Sequence, residues 1–150
     1  METFPIAPAA TRALWLVPAL LVVVLIPVVI LVGVSLRGSR AARFEVSPAG
    51  LRLQGDLYGR TIPAGQLRSQ DARRVDFATD PALAPKLRTM GTGLPGYQAG
   101  WFRLRNGEKA LLYLTDRSRA VYVPTTAGYS LLLSPADPDA FLSAVRAMAR

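Results

Sequence analysis

One unbroken apolar run, Ala13 to Leu36, constrains this chain more than any other feature. It reads A-L-W-L-V-P-A-L-L-V-V-V-L-I-P-V-V-I-L-V-G-V-S-L and carries no charge. As a helix it would extend about 36 Å, against a hydrocarbon core of roughly 30 Å. The expectation is a transmembrane helix over residues 13–36, with Trp15 and Ser35 resting in the two interfaces. A cleaved secretory signal would have an apolar stretch of about 7 to 15 residues and a small-residue cleavage site. Here Arg37-Gly38-Ser39-Arg40-Ala41-Ala42-Arg43 follows instead. A helix in water would be broken by Pro18 and Pro27, whereas lipid penalises any other backbone more heavily, so in lipid they predict kinks.

Net charge is +8, and all but one of the 18 Lys and Arg, like all but one of the 10 Asp and Glu, lie after the run. Arg37, Arg40 and Arg43 crowd its far side, and the positive-inside rule keeps such a cluster in the cytoplasm. The expected arrangement is single-pass in the cytoplasmic (inner) membrane, with a short tail, residues 1–12, outside. Arg12 is a competing inside signal. The three arginines serve as a stop-transfer flank or as contacts for anionic lipid headgroups. Nucleic acid is a poor fit, because the remaining charges are scattered rather than striped.

The chain has no cysteine and no histidine, which removes disulfides, thiolate and imidazole metal ligands, the cysteine nucleophile and the commonest general base. Asp71, Asp76, Asp80 and Asp116 are the obvious acid-base candidates beside a helix-capping pair, and none is spaced as a catalytic set. No enzyme, cofactor or metal is expected.

After a basic linker, residues 37–43, the pattern changes to short alternating runs separated by turn residues, the mark of an antiparallel sheet over residues 44–150. Phe44 and Val46 start one strand, Ser47-Pro48-Ala49-Gly50 turns it, and Leu51, Leu53 and Leu57 line the apolar side of the next. Tyr58-Gly59 turns into Thr61-Ile62-Pro63. Val75 and Phe77 mark a further strand, and Thr79 to Gly96 reads as a loop. Tyr97 to Arg105 resumes the sheet. Asn106-Gly107 predicts a two-residue type I′ hairpin, pairing Arg105 with Glu108, Phe102 with Leu111 and Trp101 with Leu112. One face of this strand then carries Trp101, Arg103 and Arg105, a candidate for anion contact; the alternative is a solvated face with an Arg105–Glu108 ion pair. Val121 with Val123, and Tyr129 to Leu133, supply the last strands. Asp137-Pro138 is an N-cap with proline at the first helical position, opening a helix through Ala149 that buries Phe141, Leu142, Val145 and Met148.

Gly91-Thr92-Gly93-Leu94-Pro95-Gly96 spells G-x-G-x-x-G, but Pro95-Gly96 leads into a strand rather than a helix N-terminus, so no nucleotide site follows.

The layout, α+β with a transmembrane helix and then about seven strands closed by a C-terminal helix, is that of a pleckstrin-homology (PH) barrel or sandwich. The chain resembles the bacterial PH-like domains that occur as short membrane-anchored proteins. The likeness rests on Phe44-x-Val46 with Ala49-Gly50-Leu51, Gly59-Arg60-Thr61-Ile62-Pro63 with Leu67, and Leu87-Arg88 with Gly91. It continues in Pro95-Gly96-Tyr97 with Gly100 and Phe102, and ends in Leu131-Leu132-Leu133-Ser134-Pro135-Ala136-Asp137-Pro138 with Phe141-Leu142. PH-like domains elsewhere bind inositol phosphates through basic residues around the first hairpin. Here that hairpin holds only Arg52, opposed by Glu45, so the resemblance does not bring that activity with it. It implies a fold more firmly than an activity; the single span and the absence of catalytic side chains favour a non-catalytic module that binds a membrane-protein partner or a second copy of itself, with anionic lipid, met by Arg37, Arg40, Arg43 and the Trp101, Arg103, Arg105 face, as the alternative ligand.

Overall fold

The computed structural model describes residues 15–55, 57–94 and 96–148, excepting the side chains at positions 31 and 34–41. The expected tail, residues 1–12, and the start of the apolar run lie outside the described residues. The chain divides into two units, Met1–Leu36 and Arg37–Arg150.

In the first unit the apolar run forms helix α1, Leu16–Ala41. Pro18 falls in its first turn, where a missing N–H costs nothing, and Pro27 lies inside. Large apolar side chains from Leu16 to Val32 are exposed all round it. Among the described residues, no helix is long and apolar enough to cross a membrane. The expected transmembrane helix is corrected accordingly.

Among the described residues the second unit has nine strands in two separate sheets and no closed barrel, where a barrel or sandwich of about seven strands was expected. The smaller sheet is the antiparallel meander β1 (Arg43–Ser47), β2 (Gly50–Gln54) and β3 (Arg60–Pro63). After β3 the chain crosses through two short 3-10 turns and touches the other sheet by a single bridge, Leu67 to Thr125. That crossing, rather than a continuous ladder, is why no barrel closes.

The larger sheet contains β4 (Arg73–Arg74), β5 (Pro85–Leu94), β6 (Tyr97–Leu104), β7 (Lys109–Leu114), β8 (Val121–Pro124) and β9 (Ser130–Leu133), in the order β4-β8-β9-β7-β6-β5. Its pairs are antiparallel except β7 with β9, which run parallel. Val75 and Phe77, expected to be a strand, lie beyond the two-residue β4 and pack into the core there. Leu57, expected on the apolar side of β2, is exposed in the turn that follows.

Both faces of the larger sheet are covered, which explains continuous runs such as Leu131-Leu132-Leu133. One face, with Leu111, Tyr113, Leu131 and Leu133, packs with Leu51, Leu53 and Ile62 of the smaller sheet and with helix α2, Pro138–Ala147. The opposite face, with Phe102, Leu104, Leu112 and Leu132, is covered by Val75 and Leu83. Helix α2 starts where expected: the Asp137 carboxylate accepts from the N–H groups of Asp139 and Ala140 at 3.1 and 3.0 Å. Phe141, Leu142 and Val145 are buried, and Met148 is half-buried.

Candidate functional site: a cation–aromatic cluster

The turn between β6 and β7 builds the site. Gly107 N–H donates to Leu104 O and Leu104 N–H to Glu108 O. Gly107 has φ +87, and no other residue type has positive φ among the described residues. This is a type I turn closed by a left-handed glycine, a three-residue hairpin with a bulge, not the expected type I′ turn. Pairing therefore runs Arg103 with Lys109, Phe102 with Ala110 and Trp101 with Leu111, one residue from the expected register.

A one-residue slip exchanges the faces of a strand. Lys109 moves to the side of Trp101 and Arg103, and Glu108 moves to the other side. There the Glu108 carboxylate accepts from the Tyr122 hydroxyl at 3.0 Å and from the Ser130 hydroxyl. The expected Arg105–Glu108 ion pair is absent among the described residues. Burial holds the Tyr122 hydroxyl above its ordinary pKa, and the Glu108 carboxylate adds to this against the opposing bond from Ser130.

A second device brings β5 alongside. Gly91 and Gly100 pair across β5 and β6 with φ of +143 and +114. A Cβ on Gly100 would lie 2.4 Å from Met90 O, and one on Gly91 would lie 2.2 Å from Ala99 O. Only glycine allows this approach. It sets Met90 opposite Trp101, and Thr89, the extra residue of the adjoining bulge, donates its hydroxyl to Trp101 O at 3.0 Å.

Around the half-buried Trp101 the structure gathers residues from four segments. The Arg60 guanidinium, at the start of β3, lies 4.7 Å from the indole centroid, and Lys109 Nζ lies 4.3 Å from it. The Tyr129 ring meets the indole edge-to-face at 5.0 Å, and Arg60 is 5.8 Å from that ring. Tyr129 is held by its turn: Thr125 donates its hydroxyl to Tyr129 O, and Gly128 takes φ +81. Arg103, cross-strand from Lys109, donates to Gly107 O at 3.2 Å.

The two charges over the indole are at most 9.0 Å apart. Their repulsion in water is therefore at least about 0.5 kcal/mol. Two exposed cation–π contacts contribute about 1–2 kcal/mol together, which offsets a repulsion of that order. Among the described residues the ion pairs are Arg68–Asp71, Arg73–Asp80, Arg74–Asp139 and Arg119–Asp116. None uses Arg60, Arg103 or Lys109. Among the described residues the cluster is therefore a patch of positive charge that no carboxylate pairs with.

Of the residues expected to meet an anion, Trp101 and Arg103 belong to this cluster. Arg105 sits in the turn, exposed, with its backbone N–H donating to Ala84 O at 3.0 Å. Arg43 opens β1 and is exposed; the side chains of Arg37 and Arg40 lie outside the described residues. Arg60, Lys109 and Tyr129 were not legible as site residues. At the first hairpin Glu45 faces Arg52 and accepts from Gln54 at 2.8 Å, so no basic cluster forms there.

The carboxylates do not converge. Asp71 and Asp80 pair with arginines at 3.0 and 2.9 Å, and Asp76 accepts from Ala78 N–H. Asp116 borders a groove of about 610 Å³, but the Ser118 hydroxyl and backbone N–H, with Arg119 adding, hold its carboxyl below its usual pKa. Among the described residues no group of three or more His, Cys, Asp or Glu is placed to hold a metal ion.

Two sheets with a C-terminal helix across one end define a PH-like class of recognition fold. The chain belongs to the bacterial PH domain family, whose family model matches residues 42–149. That match begins after the apolar run and carries nothing about membrane attachment. No curated protein and no solved structure matches the chain.

Proposed function

We propose that this bacterial PH domain is a non-catalytic recognition module, and that it takes an anionic group of its ligand at Arg60, Trp101, Arg103 and Lys109. The observation that supports this is the arrangement of Arg60 and Lys109 over one indole, 4.7 and 4.3 Å from its centroid. Two cations lie against one ring, Arg103 is on the strand that carries it, and among the described residues no acid pairs with any of the three. An anion at this face gains charge-assisted hydrogen bonds from side chains already placed on the indole.

Self-assembly through this face is disfavoured, since it would set one cationic cluster against another. Titration of the full chain with inorganic pyrophosphate, followed by calorimetry, tests the reading. The parent chain binds, and the Arg60→Gln/Lys109→Gln double variant loses at least tenfold in affinity, about 1.4 kcal/mol. Equal affinity in the two proteins, or no binding by the parent, refutes it.

A further inference from the structure

From the open edge of the larger sheet we infer that β5 takes an extended segment of a partner protein as a further strand, and that this segment is acidic and apolar at alternate residues. The inference goes beyond the anion site above and uses other residues.

β5 ends the strand order of the larger sheet, so among the described residues one side of its backbone has no neighbouring strand. Proteins guard such edges with charge and with bulges. Here both bulges fall between Pro85 and Met90, and residues 90–94 pair with residues 97–101 without interruption. That stretch is uncharged, and among the described residues it makes no backbone hydrogen bond outside the ladder to β6. Its outward main-chain groups are those from which strand addition draws its affinity.

The two faces beside this edge differ, which sets the pattern of the partner. Cross-strand partners project to the same side of a sheet, so Met90 stands with Trp101, while Gly91 and Gly93 stand with Gly100 and Gln98 on the other side. Met90 is 62% exposed and offers an apolar contact. On the glycine side Arg88 folds back along the strand: a Cβ on Gly93 would lie 3.1 Å from Arg88 Nη1. A groove of about 280 Å³ follows, lined by Pro85, Lys86, Arg88, Gly93, Gln98 and Phe102. Neither Lys86 nor Arg88 belongs to an ion pair among the described residues, and the sequence has no acid between Asp80 and Glu108. Gln98 Oε1 is buried there without a hydrogen-bond partner; turned about its last torsion, the amide offers N–H groups to a carboxylate. An acidic residue of the added strand therefore meets Arg88 and Lys86, and the residue next to it in sequence faces Met90.

Charge complementarity disfavours a second copy of this chain. Pairing β5 with β5 would set two Lys86 and two Arg88 on one face with no acid between them.

The probe is a fluorescent, end-capped peptide of alternating Glu and Val, titrated into the full chain and followed by anisotropy. The same peptide N-methylated at every residue keeps its carboxylates and apolar groups but has no backbone N–H to donate. The expected result is saturable binding of the first peptide and none of the second. Amide exchange at the outward N–H groups of residues 90–94 slows with the first peptide, while exchange in β9 does not change. Lys86→Gln/Arg88→Gln, at exposed positions, weakens peptide binding about tenfold and leaves pyrophosphate binding as in the parent.

Equal binding of the methylated peptide overturns strand addition, and equal binding of a peptide alternating Lys and Val overturns the acidic partner. No binding, or binding that leaves exchange at residues 90–94 unchanged, overturns β5 as the site. Loss of peptide and pyrophosphate together in the double variant overturns a site separate from the indole cluster. Slower exchange at residues 90–94 on concentrating the protein without peptide overturns the partner in favour of a second copy.

Discussion

Replacing Gly100 by alanine should unfasten β5, because the glycine pair is what lets that strand lie against β6. At φ +114 an alanine sits in a region that costs of order 1–3 kcal/mol. Its methyl would lie 2.4 Å from Met90 O and 2.6 Å from Gly91 Cα, both backbone atoms that cannot rotate away. Overpacking of this kind adds about 1–3 kcal/mol, so the two together reach about 2–6 kcal/mol. Against a typical total stability of about 5–15 kcal/mol, and at roughly 4 °C per kcal/mol for a domain of this size, the melting temperature should fall by about 8–24 °C. The cheapest relief is local separation of β5, so amide exchange across Pro85–Leu94 should speed up more than exchange in β7 or β9. Gly65→Ala is the control, since its Cβ would meet nothing within 4 Å; it should stay within about 0.5 kcal/mol of the parent. The measurement is urea and thermal unfolding of the full chain, followed by Trp101 emission in a Trp15→Phe background. Gly100→Ala within about 0.5 kcal/mol of the parent would refute the close-approach argument.

Two further perturbations test other parts of the structure. Asp137→Ala removes the acceptor of the Asp139 and Ala140 N–H groups and should cost about 1 kcal/mol in urea denaturation; no change would mean that the cap is not the start signal of α2. The raised pKa of Tyr122 means that the folded chain keeps this proton after the unfolded chain has lost it. Stability is therefore fully present below the ordinary value of 10.0 and falls as pH rises from there through the folded pKa. Melting curves between neutral pH and the alkaline limit should show Tyr122→Phe with a shallower alkaline decline than the parent, and parallel declines would contradict the linkage.

The parts of this fold that could be read in the sequence are those governed by local chemistry. Asp137-Pro138 announced α2, and Phe44-x-Val46, Ser47-Pro48-Ala49-Gly50 and Leu51 with Leu53 announced the first hairpin. β5 was hidden because Thr, Gly and Met with two bulges give no alternation, so residues 85–94 looked like loop. The β6–β7 register was missed because Asn106-Gly107 suits two hairpin types that differ by one residue. That single residue decides whether Lys109 or Glu108 stands on the face of Trp101. Two residues of the cluster were therefore visible, Trp101 and Arg103, while Arg60 and Tyr129 reach it through contacts between distant segments. The apolar run was legible as a helix, yet its expected passage through a membrane is not met among the described residues.

Trp15→Phe leaves Trp101 as the single indole in the chain, and its Nε1–H resonance reports on the cluster directly. Inorganic pyrophosphate added to this protein should shift that resonance in a saturable way, and Arg60→Gln/Lys109→Gln should abolish the shift while leaving the backbone amides of β9 in place. An indole resonance that ignores pyrophosphate, or one that moves equally in the double variant, would contradict the claim that these cations form an anion site.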